Sequence, residues 1–396
     1  MRRRIVHANL ILPFEVCPDG WLLTENGVIA DYGTGECPWP AEETTDAAGA
    51  YLAPGFVDLH VHGGAGADFR DGDEASFLTA LQAHLAGGTT TILPTLSSQS
   101  HGDMLKSIDV FNRLKDRNVE EMAIPHLAGL HLEGPYFSME QKGAQNEELI
   151  RNPDFNEVEE VLERTPWIKR WAIACELPGA NQLATLLKKR GITACIGHSN
   201  ATTQQVREAF AHGFSCVTHL YSGCSVVHRN GPFREGGIVE AAFLMDDLDV
   251  EMIGDGIHLP PDFLKLIYKI KGPDRIALIT DCIRAGACQV PDGTVAYDDR
   301  EKTRPIYIES GVAIMPDRKN FAGSIATSSH LVRTVVTRAN VDLAGAVRMA
   351  ALTPARMLGM DDRIGSIARG KDADLLLLDN RLEIRKIWLK GAAVCT

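Results

Sequence analysis

The chain has 396 residues, with 40 Lys and Arg against 52 Asp and Glu, so its formal net charge is −12 when histidine is neutral. Hydrophobic residues make up 45% and charged residues 23%, values typical of a globular protein that exclude a disordered or collagen-like chain. The acidic balance argues against a nucleic-acid or membrane-surface partner, because either would need a basic face. The length suits one large α/β barrel with an accessory domain, or about two to three ordinary domains.

The N-terminus begins with a basic stretch and a short apolar run, MRRRIVHANLILPFEV. A signal peptide is the alternative to a strand here, but His7 and Asn9 interrupt the apolar run and no A-x-A cleavage site follows. The sequence contains no run of about 18 apolar residues, so we expect no transmembrane helix. The nine cysteines include no CxxC pair, which predicts free thiols in a reducing cytoplasm.

Both ends of the chain are rich in short β-type runs. Apolar and polar residues alternate over Arg4–Leu12 and Trp21–Tyr32, and the turn signals PDG and ENG break this part of the chain. The final segment, RIGSIARGKDADLLLLDNRLEIRKIWLKGAAV, has similar runs and no helical period. We therefore predict that residues 1–53 and 355–396 together build a small β-sandwich domain, and that residues 54–354 form a second, larger domain.

In this middle region, apolar β-branched runs alternate with segments of helical character. The predicted strands are Phe56–His62, Thr89–Leu96, His126–Glu133, Arg170–Leu177, Thr193–Ser199, Ser215–Tyr221, Asp249–Gly256 and Arg275–Asp281. The predicted helices include Glu74–Ala86, Asn181–Arg190, Thr202–His212, Pro261–Ile270 and Ser328–Ala339. Such alternation implies parallel strands, and eight units predict a (β/α)8 barrel of the TIM type. A doubly wound open sheet is the alternative, but the strand count and the lack of a GxGxxG after the first strand count against it.

Side chains able to bind metal follow several of these buried runs. They are His60, His62, Glu133, His198, His219 and Asp281. Each has an ordinary structural explanation, such as a hydrogen-bonded core histidine or a helix cap. In a barrel, however, all of these strand ends lie on the C-terminal face, where barrel enzymes place their chemistry. Imidazole and carboxylate groups suit Zn²⁺ or Fe²⁺, so the set predicts a metal site. His258, after the seventh strand, lies on the same face, and His131 is a candidate to support a ligand.

Taken in order, the motifs PGFVDLHVHGG, GLHLEGP, IGHSNA, THLYSG, GDGIH and ITD resemble the amidohydrolase superfamily. More narrowly, they resemble the N-acetylglucosamine-6-phosphate deacetylase family, and the tail GSIARGKDADLLLLD resembles that family's closing segment. The resemblance covers essentially the whole chain. It implies a cytoplasmic, metal-dependent enzyme that hydrolyses the acetamide of N-acetyl-D-glucosamine 6-phosphate to glucosamine 6-phosphate and acetate.

The resemblance also implies roles for individual residues. Glu133, His198 and His219 match the family's principal metal site, and His60 and His62 match a second metal position that only some members keep. One or two divalent ions per chain, zinc or iron, are therefore expected.

The remaining roles concern proton transfer and the sugar phosphate. Asp281 matches the general base and acid, and His258 matches a residue that reaches the phosphate. Arg234, in FREGG, resembles an arginine that reaches the phosphate across a subunit boundary, which implies a homodimer.

Two departures from the family pattern lie in the expected substrate pocket. Gln145, in KGAQN, replaces a histidine that polarises the substrate carbonyl. Ser222 and Gly223, in THLYSGC, stand where the family has THLFNAM or THLYNAM, whose asparagine helps to hold the phosphate. The departures leave open a related substrate, such as N-acetylgalactosamine 6-phosphate, or an unphosphorylated amide. A catalytically silent, metal-stabilised binding protein is a third alternative, but Asp281 and every ligand candidate are present.

Overall fold

The computed structural model describes residues 1–117 and 119–394. Its largest element is a parallel barrel whose strands are numbered here one to eight in chain order. They span Phe56–Val61, Thr89–Ser97, Leu130–Glu133, Ile168–Ile173, Thr193–Ile196, Phe214–Val217, Asp249–Ile253 and Ile276–Ile279. Consecutive strands pair in parallel from one to eight. Strands eight and one meet where Asp281 N donates to His60 O at 2.9 Å, so the predicted (β/α)8 barrel is confirmed.

Helices cover the outside of the barrel between its strands. The described helices are Glu74–Ala86, His101–Leu114, Val119–Met122, Phe155–Arg164, Ala180–Lys189, Thr203–His212, Ile238–Leu244, Pro261–Lys271, Ser328–Thr337, Leu343–Ala350 and Leu352–Met357. Local chemistry sets several ends: the Asp73 side chain accepts from Ser76 N before the first helix, and Gly213 ends Thr203–His212 in the left-handed conformation. No helix of the described residues is long and apolar enough to cross a membrane.

The two ends of the chain meet in one mixed sheet of eight strands. These strands are Arg2–Ile11, Val16–Glu25, Val28–Thr34, Glu43–Asp46, Tyr51–Pro54, Leu375–Leu378, Ile384–Leu389 and Ala392–Val394. Tyr51–Pro54 joins the two ends, because it pairs with both Arg2–Ile11 and Leu375–Leu378. The sheet has its own apolar core around Ile5, Leu22 and Trp388. The terminal segments therefore form a β-sandwich-like unit, as the sequence predicts.

Several barrel strands end earlier than predicted, and the ligand-type residues lie just beyond them. His198, His219 and Asp281 have φ of 45°, 28° and 47°, in or near the left-handed region that side chains rarely adopt. Regular strand geometry does not extend to these residues, and strands five, six and eight end two residues before them. Such outliers cluster at functional sites.

The described residues include three small β insertions that the sequence did not predict, the first being a short hairpin of Gly63–Gly64 and Ala67–Asp68 after strand one. A hairpin of His228–Asn230 and Phe233–Glu235 follows strand six. After strand eight comes a four-stranded antiparallel sheet, here called the meander, formed by Val295–Tyr297, Pro305–Glu309, Val312–Ile314 and Phe321–Gly323.

Candidate metal and substrate site

The predicted ligands converge on the carboxylate of Glu133. Its Oε1 lies 3.1 Å from His198 Nε2, 3.0 Å from His219 Nε2 and 3.5 Å from His60 Nε2. Its Oε2 lies 3.5 Å from His62 Nε2. In each of the two groups His60–His62–Glu133 and Glu133–His198–His219, the potential ligand atoms lie within 4.8 Å of one another. Strands one, three, five and six thus bring all five predicted ligands to one place.

Asp281 lies at the edge of this cluster. Its Oδ1 is 3.1 Å from His62 Nε2 and 3.6 Å from His60 Nε2. Burial alone would raise the pKa of Asp281, but the hydrogen bond from His62 and the nearby histidine charges hold the pKa below its usual value. Asp281 is therefore ionised at neutral pH and can accept a proton.

Hydrogen bonds fix which nitrogen of each ring is free to bind an ion. His198 Nδ1 lies 2.9 Å from Gln141 O, and His219 Nδ1 lies 2.9 Å from Ser222 O. A carbonyl oxygen can only accept, so both Nδ1 atoms carry the proton. When either ring is neutral, it therefore presents the lone pair of Nε2 toward Glu133.

This donor set fits a divalent cation. A carboxylate facing several Nε2 lone pairs at close range is repulsive unless protons or a metal ion lie between them. His60 Nε2 and His62 Nδ1 are also buried without a hydrogen-bond partner in the described structure. Burial would raise the pKa of Glu133, but hydrogen bonds with His198 and the other rings hold it well below its usual range. Protons therefore hold the metal-free cluster together, and a metal ion would displace them.

His131, the candidate for supporting a ligand, packs its ring 4.7 Å from that of His60. Neither of its nitrogens has a partner in the described structure. Burial, reinforced by the charge of His60, lowers the pKa of His131 well below its usual value, so the ring is neutral and contributes packing only.

The cluster opens into a cavity of about 380 Å³. Its lining includes His62, Glu133, Gln141, Gly143, Ala144, Gln145, His198, His219, Tyr221, Ser222, Gly223, His258, Asp281 and Lys319–Gly323. Gly223 has φ +57°, and a Cβ there would lie 2.9 Å from His198 Nδ1. The absence of a side chain at this position therefore lets the loop pass close to a ligand ring.

Gln145, one of the two departures, contacts the cluster directly. Its Nε2 donates to Glu133 Oε2 at 2.8 Å, and Ser98 N donates to its Oε1 at 3.3 Å. The two bonds fix the orientation of the amide, with its NH2 group toward the cavity. Arg304 of the segment before the meander strand Pro305–Glu309 donates to Ala144 O at 2.7 Å and holds the backbone next to Gln145.

The residues predicted to contact the phosphate fall into two groups. Ser222, Gly223 and His258 line the cavity. His258 Nδ1 lies 2.6 Å from Asp255 Oδ2, which anchors the ring. Arg234 is instead exposed on the hairpin after strand six and does not line the cavity formed by its own chain.

The meander contributes a part of the lining that the sequence did not predict. Lys319, Asn320 and Phe321 line the cavity, and the Phe321 ring lies 4.6 Å from that of His258. Tyr221, beside Ser222, was also missed. The local signal was weak, because DRKNF has the composition of any surface turn and no strand-end pattern.

Comparisons with known proteins agree with this geometry. The family model described as the amidohydrolase family matches residues 51–394. The chain is 33% identical to the N-acetylgalactosamine-6-phosphate deacetylase of Escherichia coli O157:H7, over 94% of this chain and 95% of that protein. It is 32% identical to the N-acetylglucosamine-6-phosphate deacetylase of Bacillus subtilis (strain 168), over 93% and 91% respectively. A solved mutant of N-acetyl-D-glucosamine-6-phosphate deacetylase from Mycobacterium smegmatis, in complex with N-acetyl-D-glucosamine-6-phosphate, is similar with a TM-score of 0.89, 31% identity and 100% coverage of both chains.

Proposed function

Since the chain belongs to the amidohydrolase family, we propose that it hydrolyses the acetamide of N-acetyl-D-glucosamine 6-phosphate to glucosamine 6-phosphate and acetate. The observation that carries this proposal is the ring of histidines around Glu133, with Asp281 beside it, on a cavity of sugar-phosphate size. Similarity to deacetylases of this name along nearly the whole chain supports the substrate class.

In this proposal, Glu133, His198 and His219 hold the principal divalent ion, zinc or iron, and His60 and His62 hold a second. When bound, a divalent ion supplies Lewis-acid activation of water and of the amide carbonyl. Gln145 positions Glu133 through the bond to its Oε2. The second N–H of its amide is available to the acetyl oxygen, as a neutral donor in place of the family's histidine.

Asp281 moves the proton. Ionised and on the cavity wall, it takes a proton from the attacking water and returns it to the leaving amine. In the metal-free protein, His62 Nε2 lies 3.1 Å from Asp281 Oδ1 and holds the carboxylate beside the cluster. General acid–base transfer of this kind contributes about 10²–10⁴-fold to the rate.

In this proposal the phosphate is bound by the part of the cavity lining that contains His258 and Lys319, whose side chains offer donors. Arg234 of a second copy supplies a further positive charge, so the active unit is a homodimer. Exposed apolar residues on and near its hairpin support this arrangement, because such side chains mark an interaction surface when they cluster. They are Val226, Val227, Phe233 and Leu244.

A second substrate is favoured by one specific observation: the 33% identical relative is named for N-acetylgalactosamine 6-phosphate. The test is kcat/KM for the N-acetyl 6-phosphates of glucosamine, galactosamine and mannosamine and for the unphosphorylated sugars, measured as acetate release. A preference of about tenfold or more for a phosphorylated sugar supports the phosphate site, and the epimer ratio decides between the two substrates. Without that preference the protein would be an amidohydrolase of an unphosphorylated amide. Gln145→His should leave activity on the glucosamine substrate unchanged or improve it.

We further propose that residues 1–53 and 355–396 form the small domain and residues 54–354 the catalytic domain. The separate apolar core of the terminal sheet supports this division. A cytoplasmic location is proposed from the eight described cysteines, all of which are free thiols.

A further inference from the structure

The barrel interior contains a charged pair that takes no direct part in the proposed metal and substrate contacts. Arg170 of strand four and Glu251 of strand seven have fully buried side chains, and Nη2 of Arg170 donates to Oε1 of Glu251. The same Nη2 donates to Cys216 Sγ at 3.4 Å. Burying such a pair costs desolvation energy that the attraction between the charges often only offsets. The pair therefore calls for an explanation other than fold stability.

The second oxygen of Glu251 contacts a predicted metal ligand. Oε2 of Glu251 lies 3.0 Å from His60 Nδ1 and also accepts the hydroxyl hydrogen of Thr218. Thr218 Oγ1 is itself 2.9 Å from His60 Nδ1. Because the only hydrogen of that hydroxyl is used on Glu251, both neighbours of His60 Nδ1 can only accept from it.

In the neutral His60 ring that a metal ion would bind, the proton must therefore lie on Nδ1, which leaves the lone pair on Nε2. That Nε2 is buried without a hydrogen-bond partner in the described structure and points between Glu133 and Asp281. His198 and His219 receive the same orientation from backbone carbonyls. For His60 a carboxylate does this, and a carboxylate makes the imidazole a stronger ligand than a carbonyl does.

We propose that the Arg170–Glu251 pair positions His60 and thereby determines whether the chain holds a second metal ion. This inference rests on the proposed function. Glu251 fixes the tautomer and orientation of His60, and Arg170 holds Glu251 in place through the bond to its Oε1. Without the pair, the His60–His62–Glu133 position binds metal more weakly by about 10–100-fold, the usual effect of losing an outer partner of a ligand. His219 N also donates to Glu251 Oε2 at 3.4 Å. The His198 and His219 rings take their orientation from backbone carbonyls, however, so we expect the Glu133–His198–His219 position to change much less.

The test is metal stoichiometry in the full-length protein, with Zn²⁺ as the probe. Metal-free wild type and the double variant Arg170→Met/Glu251→Gln are dialysed against a series of buffered Zn²⁺ concentrations and analysed for zinc. The double variant removes both charges together, because the single changes would leave one buried charge unpaired. Arg284→Met/Asp71→Asn is the matched control, since it removes a largely buried ion pair that does not touch the histidines.

We expect wild type and the control to bind two zinc ions per chain. The double variant should bind the ion at Glu133–His198–His219 with close to wild-type affinity but require about 10–100-fold more Zn²⁺ to bind the second ion. Equal second-site affinity in the double variant and wild type would overturn the inference and leave the proposed function standing. If wild type binds only one zinc ion per chain, the inference is also overturned and the proposed function stands. If wild type binds no zinc, the proposed function is contradicted as well.

A second measurement does not depend on the folding of a variant. In zinc-loaded wild type labelled with ¹⁵N-histidine, the His60 signal, identified by its loss in His60→Gln, should report a protonated Nδ1. A proton on Nε2 instead would overturn the proposal.

Discussion

The clearest perturbation of the cluster is Glu133→Gln. The carboxamide has nearly the same shape as the carboxylate, but its NH2 group can donate to the Nε2 lone pairs that Glu133 now faces at 3.0 Å and 3.1 Å. The variant therefore satisfies the histidines without protons or metal. We expect it to fold, to keep at least the stability of the metal-free wild type, and to lose most of its metal affinity.

The magnitude follows from linkage between metal binding and folding. At a free metal concentration of about 100 times Kd, binding stabilises the native state by about 2.7 kcal/mol. Loss of an outer partner of a ligand can raise Kd by about 100-fold, and loss of the ligand Glu133 should raise it at least as much. At the same metal concentration, binding then stabilises the variant by about 0.4 kcal/mol. At roughly 1–2 °C per kcal/mol for a chain of this size, the metal-dependent rise in Tm should be about 2–5 °C smaller in the variant.

Differential scanning fluorimetry of metal-free protein, with and without added Zn²⁺, measures this difference, and elemental analysis measures the retained metal. Glu157→Gln is the control, because Glu157 pairs with Arg151 at 2.6 Å outside the cluster and should keep the wild-type rise. If Glu133→Gln shows the same metal-dependent rise and metal content as wild type, Glu133 is not a metal ligand.

Four further predictions concern proton transfer, the second subunit, the meander and pH. Asp281→Asn should keep the fold and most of the metal but lose about 10²-fold or more in kcat; near-normal kcat would exclude it as the proton carrier. Arg234→Ala should raise KM for a phosphorylated sugar more than it changes kcat, and mixing its subunits with Asp281→Asn subunits should restore activity; a fully active monomer in sedimentation would contradict this. Lys319→Met should raise KM for the phosphorylated sugar and leave kcat on an unphosphorylated one unchanged, so equal effects on both would exclude a phosphate contact. Burial lowers the pKa of His84 to about 4, although the hydrogen bond with Gly63 O acts in the opposite direction. Because the unfolded chain binds this proton at a pH near 6.5, the stability contributed by neutral His84 is present above pH 6.5 and is lost as pH falls toward 4. His84→Gln should therefore flatten the unfolding free energy over that range in urea titrations, and an unchanged slope would refute the assignment.

The sequence by itself determines the barrel and predicts which ligand-type side chains gather around Glu133. Buried parallel strands require nearly continuous apolar runs, so a polar ligand-type residue at the end of such a run, as at Glu133 or His198, is visible without a structure. The fold rule then places all these ends on one face. Helix bounds were predicted to within about two residues where caps are local, as at Glu74–Ala86. The structure confirms the (β/α)8 architecture and the terminal β unit, because both follow from apolar strand patterns that are local in the sequence.

The tertiary structure decided what depends on contacts between distant segments. One example is the positive φ of His198, His219 and Asp281, each of which lies two residues beyond the end of its strand. The sequence showed Gln145 as a departure but not that its amide is held between Ser98 and Glu133.

Two other features depend on still longer separations. The meander, which brings Lys319 to the cavity lining, is an insertion. No local sequence pattern indicates that it lies at the cavity. Arg170 and Glu251 are 81 residues apart, and each alone interrupts an apolar strand without explanation. Only closure of the barrel brings them together behind His60, because strand order and stagger, and not sequence spacing, determine which inward side chains meet.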